Sequence, residues 1–327
     1  MAARVNAPVI GAEGYVYQPA NSWQVSTVYR YQHSDRHFRG SHEEENRQAE
    51  HSEVINDIHL FDVSVNYAFN SKYSVSLSVP ILDMNRSQPI RDANRNVVDR
   101  FSTQAGGIGD MVLAGRAWMF QPETHPDSNI SLGLGIKFPT GDHDVTDTFV
   151  TSSGGEVRSV DQSIQPGDGG WGILLEASAF KVINDFNLFG SMNYLSNPKG
   201  TNGTPTFRGR ESESIMSVAD QYLARTGVAF SIPGLAKHGF SASTALRLEG
   251  VPAHDLLGPS RGFRRPGYAL SLEPGIIYAR SENTFSVHVP VALQRNRTRS
   301  VPDELDQTHG DAAFADWLLL VGYSRRF

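Results

Sequence analysis

The sequence predicts an all-β fold, a single closed antiparallel up-and-down transmembrane β-barrel of about twelve strands, with long extracellular loops and short periplasmic turns. Three observations carry the prediction. Apolar and polar residues alternate with period two over many segments, the connections between those segments are alternately short and long, and charged residues fall at mid-strand on the polar phase. Bulk composition is silent on a membrane, because 39% hydrophobic residues is what a water-soluble protein also has. A transmembrane helix needs about 18 to 20 consecutive apolar residues. The longest apolar stretches here, such as Trp317-Leu318-Leu319-Leu320-Val321, are far shorter, which excludes helical spans.

Period-two alternation places alternate side chains on opposite faces of a strand. Tyr73, Val75, Leu77, Val79 and Ile81 oppose Ser74, Ser76, Ser78 and Pro80. Ile130, Leu132, Leu134 and Ile136 oppose Ser131, Gly133, Gly135 and Lys137, and Phe285, Val287, Val289 and Val291 oppose Ser286, His288 and Pro290. The same template places strands near 23–33, 54–69, 72–82, 107–120, 129–139, 171–183, 186–196, 217–231, 238–250, 265–279, 284–294 and 314–327. Residues 1–22 precede the first strand as an N-terminal periplasmic segment, and 23–327 form the barrel. The opening residues lack a basic and then apolar leader pattern, so an export signal is expected to have been removed.

Short joints such as Asn70-Ser71 and Asn184-Asp185 alternate with long polar ones at Ser34 to Glu53, Asp83 to Gly106, Thr140 to Gly170, Asn197 to Met216, Val251 to Arg264 and Arg295 to Ala313. A meander whose two rims meet different surroundings explains that alternation, and an even strand count puts both termini on the short-turn rim. A β-sandwich is the soluble rival. It would have to enclose Arg30, Asp62, Asp110, Arg116, Lys137, Glu176, Arg225, Arg247, Glu249, Glu273, Asp316 and Arg326. Unpaired charges in a dry core cost several kcal/mol each, whereas a barrel lumen tolerates them, so these residues are the expected lumen lining. Trp23, Tyr29, Tyr31, Tyr67, Phe69, Tyr73, Trp118, Phe120, Trp171, Phe186, Tyr268, Tyr278, Trp317, Tyr323 and Phe327 lie near strand ends and are candidates for two interfacial girdles. Phe327, with Tyr323 on the same phase, resembles the C-terminal signal that barrels present to the outer-membrane insertion machinery; Arg325 departs from that pattern.

Three glycine-rich segments stand at strand ends: Gly107-Ile108-Gly109-Asp110, the run from Leu132 through Lys137-Phe138-Pro139-Thr140-Gly141-Asp142, and Pro166-Gly167-Asp168-Gly169-Gly170-Trp171. Together, over residues 60–200, they resemble the outer-membrane family known as meta-pathway phenol degradation proteins or transporters. The resemblance implies location in the bacterial outer membrane and uptake of small apolar or aromatic solutes.

Other chemistry is weaker. Gly107-x-Gly109 enters a strand and offers no helix N-terminus to a phosphate. Asp142, Asp144 and Asp147 are candidate oxygen ligands for a divalent cation or a bridge to lipopolysaccharide, without EF-hand spacing. His33, His37, His42 and His51 with Glu43, Glu44 and Glu45 have ligand chemistry but no spacing that fixes a geometry. A net charge of −6 argues against nucleic acid. No cofactor is expected. The expected partners are membrane lipid, lipopolysaccharide, the insertion machinery and a small-molecule solute. The leading functional expectation is passive passage of small hydrophobic or aromatic solutes through a narrow charged lumen, with no chemistry performed. The alternatives are a non-conducting structural or adhesive barrel whose loops bind partners and, behind it, a phospholipase-like enzyme, which would need a serine beside an oriented histidine.

Overall fold

The computed structural model describes residues 17–151 and 154–327. Most of the expected N-terminal segment, 1–16, lies outside the described residues. The barrel strands are β1 (Ser22–Ser34), β2 (Ile55–Ala68), β3 (Tyr73–Arg91), β4 (Val97–Ile108, resuming at Val112–Trp118), β5 (Ser128–Lys137) and β6 (Gly172–Ile183). They continue as β7 (Phe186–Ser196), β8 (Gln221–Ser231), β9 (Phe240–Val251), β10 (Gly267–Arg280), β11 (Asn283–His288, resuming at Val291–Asn296) and β12 (Leu318–Arg326). Each pairs antiparallel with its sequence neighbours, and β12 closes on β1 from Gln24 opposite Arg326 to Gln32 opposite Leu318. The result is a closed twelve-stranded antiparallel barrel. Closure matters because an open sheet edge would leave unpaired backbone groups in hydrocarbon.

Both ends of the barrel sheet meet on the short-turn rim, where Trp23 and Phe327 exchange backbone hydrogen bonds at 3.2 and 2.8 Å. Two joints there are two residues long, Asn184-Asp185 and Ser281-Glu282, with Asn184 at φ 54° and Ser281 at φ 53°, the positive φ that a two-residue hairpin turn favours.

Side chains divide by phase as a bilayer requires. Leu134, Trp23, Phe61, Leu77 and Val287 project outward and are exposed, while Asn56, Ser76, Ser131, Asn193 and Ser271 on the opposite phase are buried inside. Along the short-turn rim, outward aromatic rings touch in series: Trp23 with Tyr67 and Tyr67 with Phe69, then Phe240 with Tyr278, Tyr278 with Phe285 and Phe285 with Tyr323. Tyr31 with Trp317 and Phe138 with Trp171 stand toward the other rim. Such belts sit at headgroup level. Trp118 is a correction to the expected girdle, since the phase of β4 turns it inward, where it meets Tyr17 and Phe180 at the short-turn mouth.

The segment Asp83 to Gly106 also departs from expectation. It is no loop but a β-hairpin, with Asp83 opposite Gly106 and Ile90 opposite Asp99 and a tip at Asp92, whose carboxylate accepts from the backbone N–H of Asn94 and Asn96. Strands β3 and β4 thus stand beyond the rest of the barrel wall. Beyond Met84 the inner phase carries Arg86 and Gln88 and the outer phase Asn85 and Ser87, so the apolar contrast that marks a spanning strand is absent there. The strand expected at 217–231 starts at Gln221, and the last, expected at 314–327, starts at Leu318.

Candidate functional site: the lumen and its outer vestibule

A cavity of about 670 Å³ follows the barrel axis. Its lining runs from Tyr17, Lys72 and Arg326 at the short-turn mouth to His37, Arg47 and Asp311 under the outer loops. Asp62, Asp110, Arg116, Lys137, Glu176, Arg225, Arg247, Glu273 and Arg326 all line it. Arg30 and Glu249 are buried in the wall network beside it, whereas Asp316 stands half-exposed at the outer rim with Arg36 at 2.9 Å and with Arg295.

The charges fall into separate groups. On one wall Arg30 donates to Glu249 at 2.7 Å, Glu249 also accepts from Arg247 at 2.8 Å, Arg247 reaches Glu273 at 3.4 Å, and Glu273 is paired with Arg225. All five side chains are buried. His288 faces Glu273 at 3.4 Å. Across the lumen Arg116 forms a two-point pair with Glu176 at 2.7 and 2.9 Å and donates to Ser76 at 2.8 Å.

The inner wall is also more apolar than a purely polar phase would give. Phe189, Ala229, Ala245 and Ile277 cluster below the network, and Ala114, Leu174 and Leu195 cluster on the opposite side. Glycine and alanine at alternating positions leave room for these groups, a packing effect that the apolar-polar code does not register.

A third group joins the three glycine-rich segments, far apart in sequence. Asp110 accepts from the backbone N–H of Gly141 and of Asp168, each at 3.0 Å, and lies 3.6 Å from Lys137, which is also paired with Asp168. The Thr140 hydroxyl donates to the Gly109 carbonyl and accepts from the Met111 N–H, both at 2.9 Å. A Cβ on Gly141 would stand 2.8 Å from the Gly167 Cα and 2.9 Å from Gly109, so this crossing needs glycine. The knot fastens both ends of the loop between β5 and β6 to the break in β4.

That loop folds inward. Val160 and Ile164, both fully buried, pack on Ile58, Leu60, Leu82 and Met84 of the inner wall. Beside them Asp161 holds Arg265 through both oxygens at 2.8 and 2.7 Å. Burial alone would raise the Asp161 pKa, but Arg265 and Arg86 outweigh it and hold the carboxyl well below its usual range. Loops from other parts of the chain close round this point. Arg264 pairs with Asp255 at 2.6 Å, and Asp303, in the short helix Val301–Leu305, is held by Arg297 at 2.9 Å.

The candidate metal ligands do not converge. Asp142 and Asp144 are exposed, while Asp147 accepts from the Gln104 N–H at 2.8 Å. His33 pairs with Asp57 and His37 with Asp311, leaving His42 and His51 exposed. Among the described residues no group of three or more His, Asp or Glu side chains is arranged to hold a metal ion. His59 points outward, and its Nδ1 contact at 2.8 Å is the Tyr29 hydroxyl rather than a serine.

An apolar-out, closed, twelve-stranded barrel with a polar-to-mixed lumen defines an integral barrel of the bacterial outer membrane. No family model matches the sequence, so the family resemblance rests on its motif residues alone. Among solved structures the chain is similar to an outer membrane channel from Pseudomonas putida F1, with a TM-score of 0.58 and 11% identity over 95% of this chain and 97% of that one. It is also similar to the translocator domain of the autotransporter NalP from Neisseria meningitidis (TM-score 0.46, 10% identity, 97% and 92% covered) and to the CymD monoaromatic hydrocarbon channel (0.45, 9%, 95% and 89%). At such identities the likeness is one of fold.

Proposed function

We propose that the barrel is a channel for passive passage of small hydrophobic or aromatic solutes. The observation that carries this reading is the axial cavity, whose lining extends from the short-turn mouth to beneath the outer loops and sets apolar groups such as Ala114, Leu174, Leu195 and Ile277 among paired charges. A twelve-stranded barrel is wider than the eight-stranded size that side chains fill and narrower than the sixteen-stranded size that leaves an open pore. Paired charges lower the electrostatic cost of a neutral solute passing them, because little free field remains to hold water in place. The Pseudomonas putida neighbour is itself described as a channel, which supports the reading at the level of fold.

The test is twofold. Purified protein in a planar bilayer is expected to give discrete unitary currents, and deletion of the protein is expected to slow outer-membrane uptake of radiolabelled phenol. A silent barrel with unaltered uptake would overturn the channel reading and favour a structural or adhesive role. The specific observation behind that second reading is the joining of separate outer loops by ion pairs such as Arg265–Asp161.

A further inference from the structure

Around Asp161 the outer vestibule gathers three guanidinium groups, those of Arg86, Arg208 and Arg265. Asp161 serves both Arg265 and, at 3.5 Å, Arg86. Arg208 stands near enough to Arg86 and Arg265 to be repelled by them. Among the described residues it has no carboxylate in ion-pair reach. Its guanidinium lies instead 5.2 Å from the ring centre of Phe207 and 4.5 Å from that of Phe263.

Beyond ion-pair distance the charge of Arg208 is met by Asp161, Glu213 and Asp311. Among the buried N–H donors that have no acceptor are Arg86 Nε, Gln88 Nε2 and Arg208 Nε. All three residues line the axial cavity. Arg86 and Gln88 are only 4% and 9% exposed, which makes them donors built into the wall rather than side chains in solvent.

Buried donors seek acceptors, and a guanidinium fork matches the two oxygens of a carboxylate. Phe207 adds an aromatic face on the same cavity. We propose that the outer vestibule is a recognition site for an aromatic monocarboxylate, whose carboxylate is taken by Arg208, Arg86 and Gln88 and whose ring lies against Phe207. The inference rests on the channel reading for its biological meaning, since it places solute selection at the entrance to the lumen.

Isothermal titration of sodium benzoate into the full chain, folded in detergent, tests it. Saturable binding at one site is expected, with the dissociation constant raised tenfold or more in Arg208→Gln, while benzyl alcohol, similar in shape but uncharged, gives no saturable heat. Arg208→Gln breaks no ion pair and so spares the fold, and heat-modifiable electrophoretic mobility verifies barrel closure in the variant. Absence of benzoate binding by the folded wild type, unchanged affinity in Arg208→Gln, or displacement of benzoate by inorganic phosphate at equal concentration overturns the proposal. Binding in detergent needs no conduction, so a negative titration leaves the channel reading intact. Missing conductance beside intact benzoate binding would strike the channel reading alone.

Discussion

Glu249 and Glu273 each bind two guanidinium groups where water has little access, and this fixes what a single substitution does. A buried ion pair is a modest source of stability while intact, but removing one partner strands a charge at a cost of about 3–5 kcal/mol. Glu249 is the carboxylate in ion-pair reach of Arg30. Glu249→Ala is therefore expected to destabilise the barrel by about that amount, measured by urea unfolding from lipid vesicles, and an effect below 1 kcal/mol would mean that the network is hydrated. On the outer face the sign of the argument reverses. Leu132 is an exposed apolar side chain part-way along β5, and Leu132→Arg should cost roughly 2–4 kcal/mol if it lies near the bilayer midplane. The same unfolding assay should show Ser131→Arg, one residue away but facing the lumen, to be milder.

The loop between β5 and β6 is the element that narrows the lumen, and it is held by two unlike devices. Its ends are tied by Asp110, Lys137 and the glycines 109, 141 and 167, while its middle is held by the apolar contacts of Val160 and Ile164. Burial of an aliphatic side chain of that size contributes about 1.5–3 kcal/mol. Ile164→Asp should detach the middle without untying the ends, and single-channel recording is expected to show a larger and noisier conductance; an unchanged current would mean that the loop does not limit passage. The last outer loop responds to pH. Burial would raise the Asp303 pKa, but Arg297 and the Ser300 backbone N–H and hydroxyl hold it at about 2, below its ordinary value of 3.8. A carboxyl depressed in the folded state contributes stability that is complete above its unfolded pKa and lost as pH falls through the folded one. Hydrogen-exchange protection factors across residues 297–311, which correct for the intrinsic pH dependence of amide exchange, should accordingly stay high at pH 5 and fall between pH 4 and about 2. Loss of protection already above pH 5 would contradict the assignment.

At the scale of the whole molecule, closure between β1 and β12 makes the chain one cooperative ring, with Trp23 and Phe327 joined at the seam. Phe327 is 65% exposed and outward, with the Arg325 guanidinium 5.0 Å from its ring centre. If that exposed ring is the feature an insertion partner reads, Phe327→Ala is expected to slow assembly in cells several-fold while sparing the stability of barrels refolded in vitro. Equal defects in both assays would assign the ring to packing instead. The residues that alternate, from Tyr73 to Ile81 and from Ile130 to Ile136, reveal the barrel because side-chain phase is a local property of an extended backbone. Their pattern by itself determined the fold class, the outward and inward faces and the rim on which the strands begin and end. The β3–β4 hairpin above the membrane, the inward turn of Val160 and Ile164, the pairing of Arg30 with a carboxylate 219 residues away and the gathering of arginines round Asp161 were decided only by the tertiary structure. Each depends on which side chains meet once the ring has closed and the loops have folded over it, and such meetings leave no periodic trace along the chain.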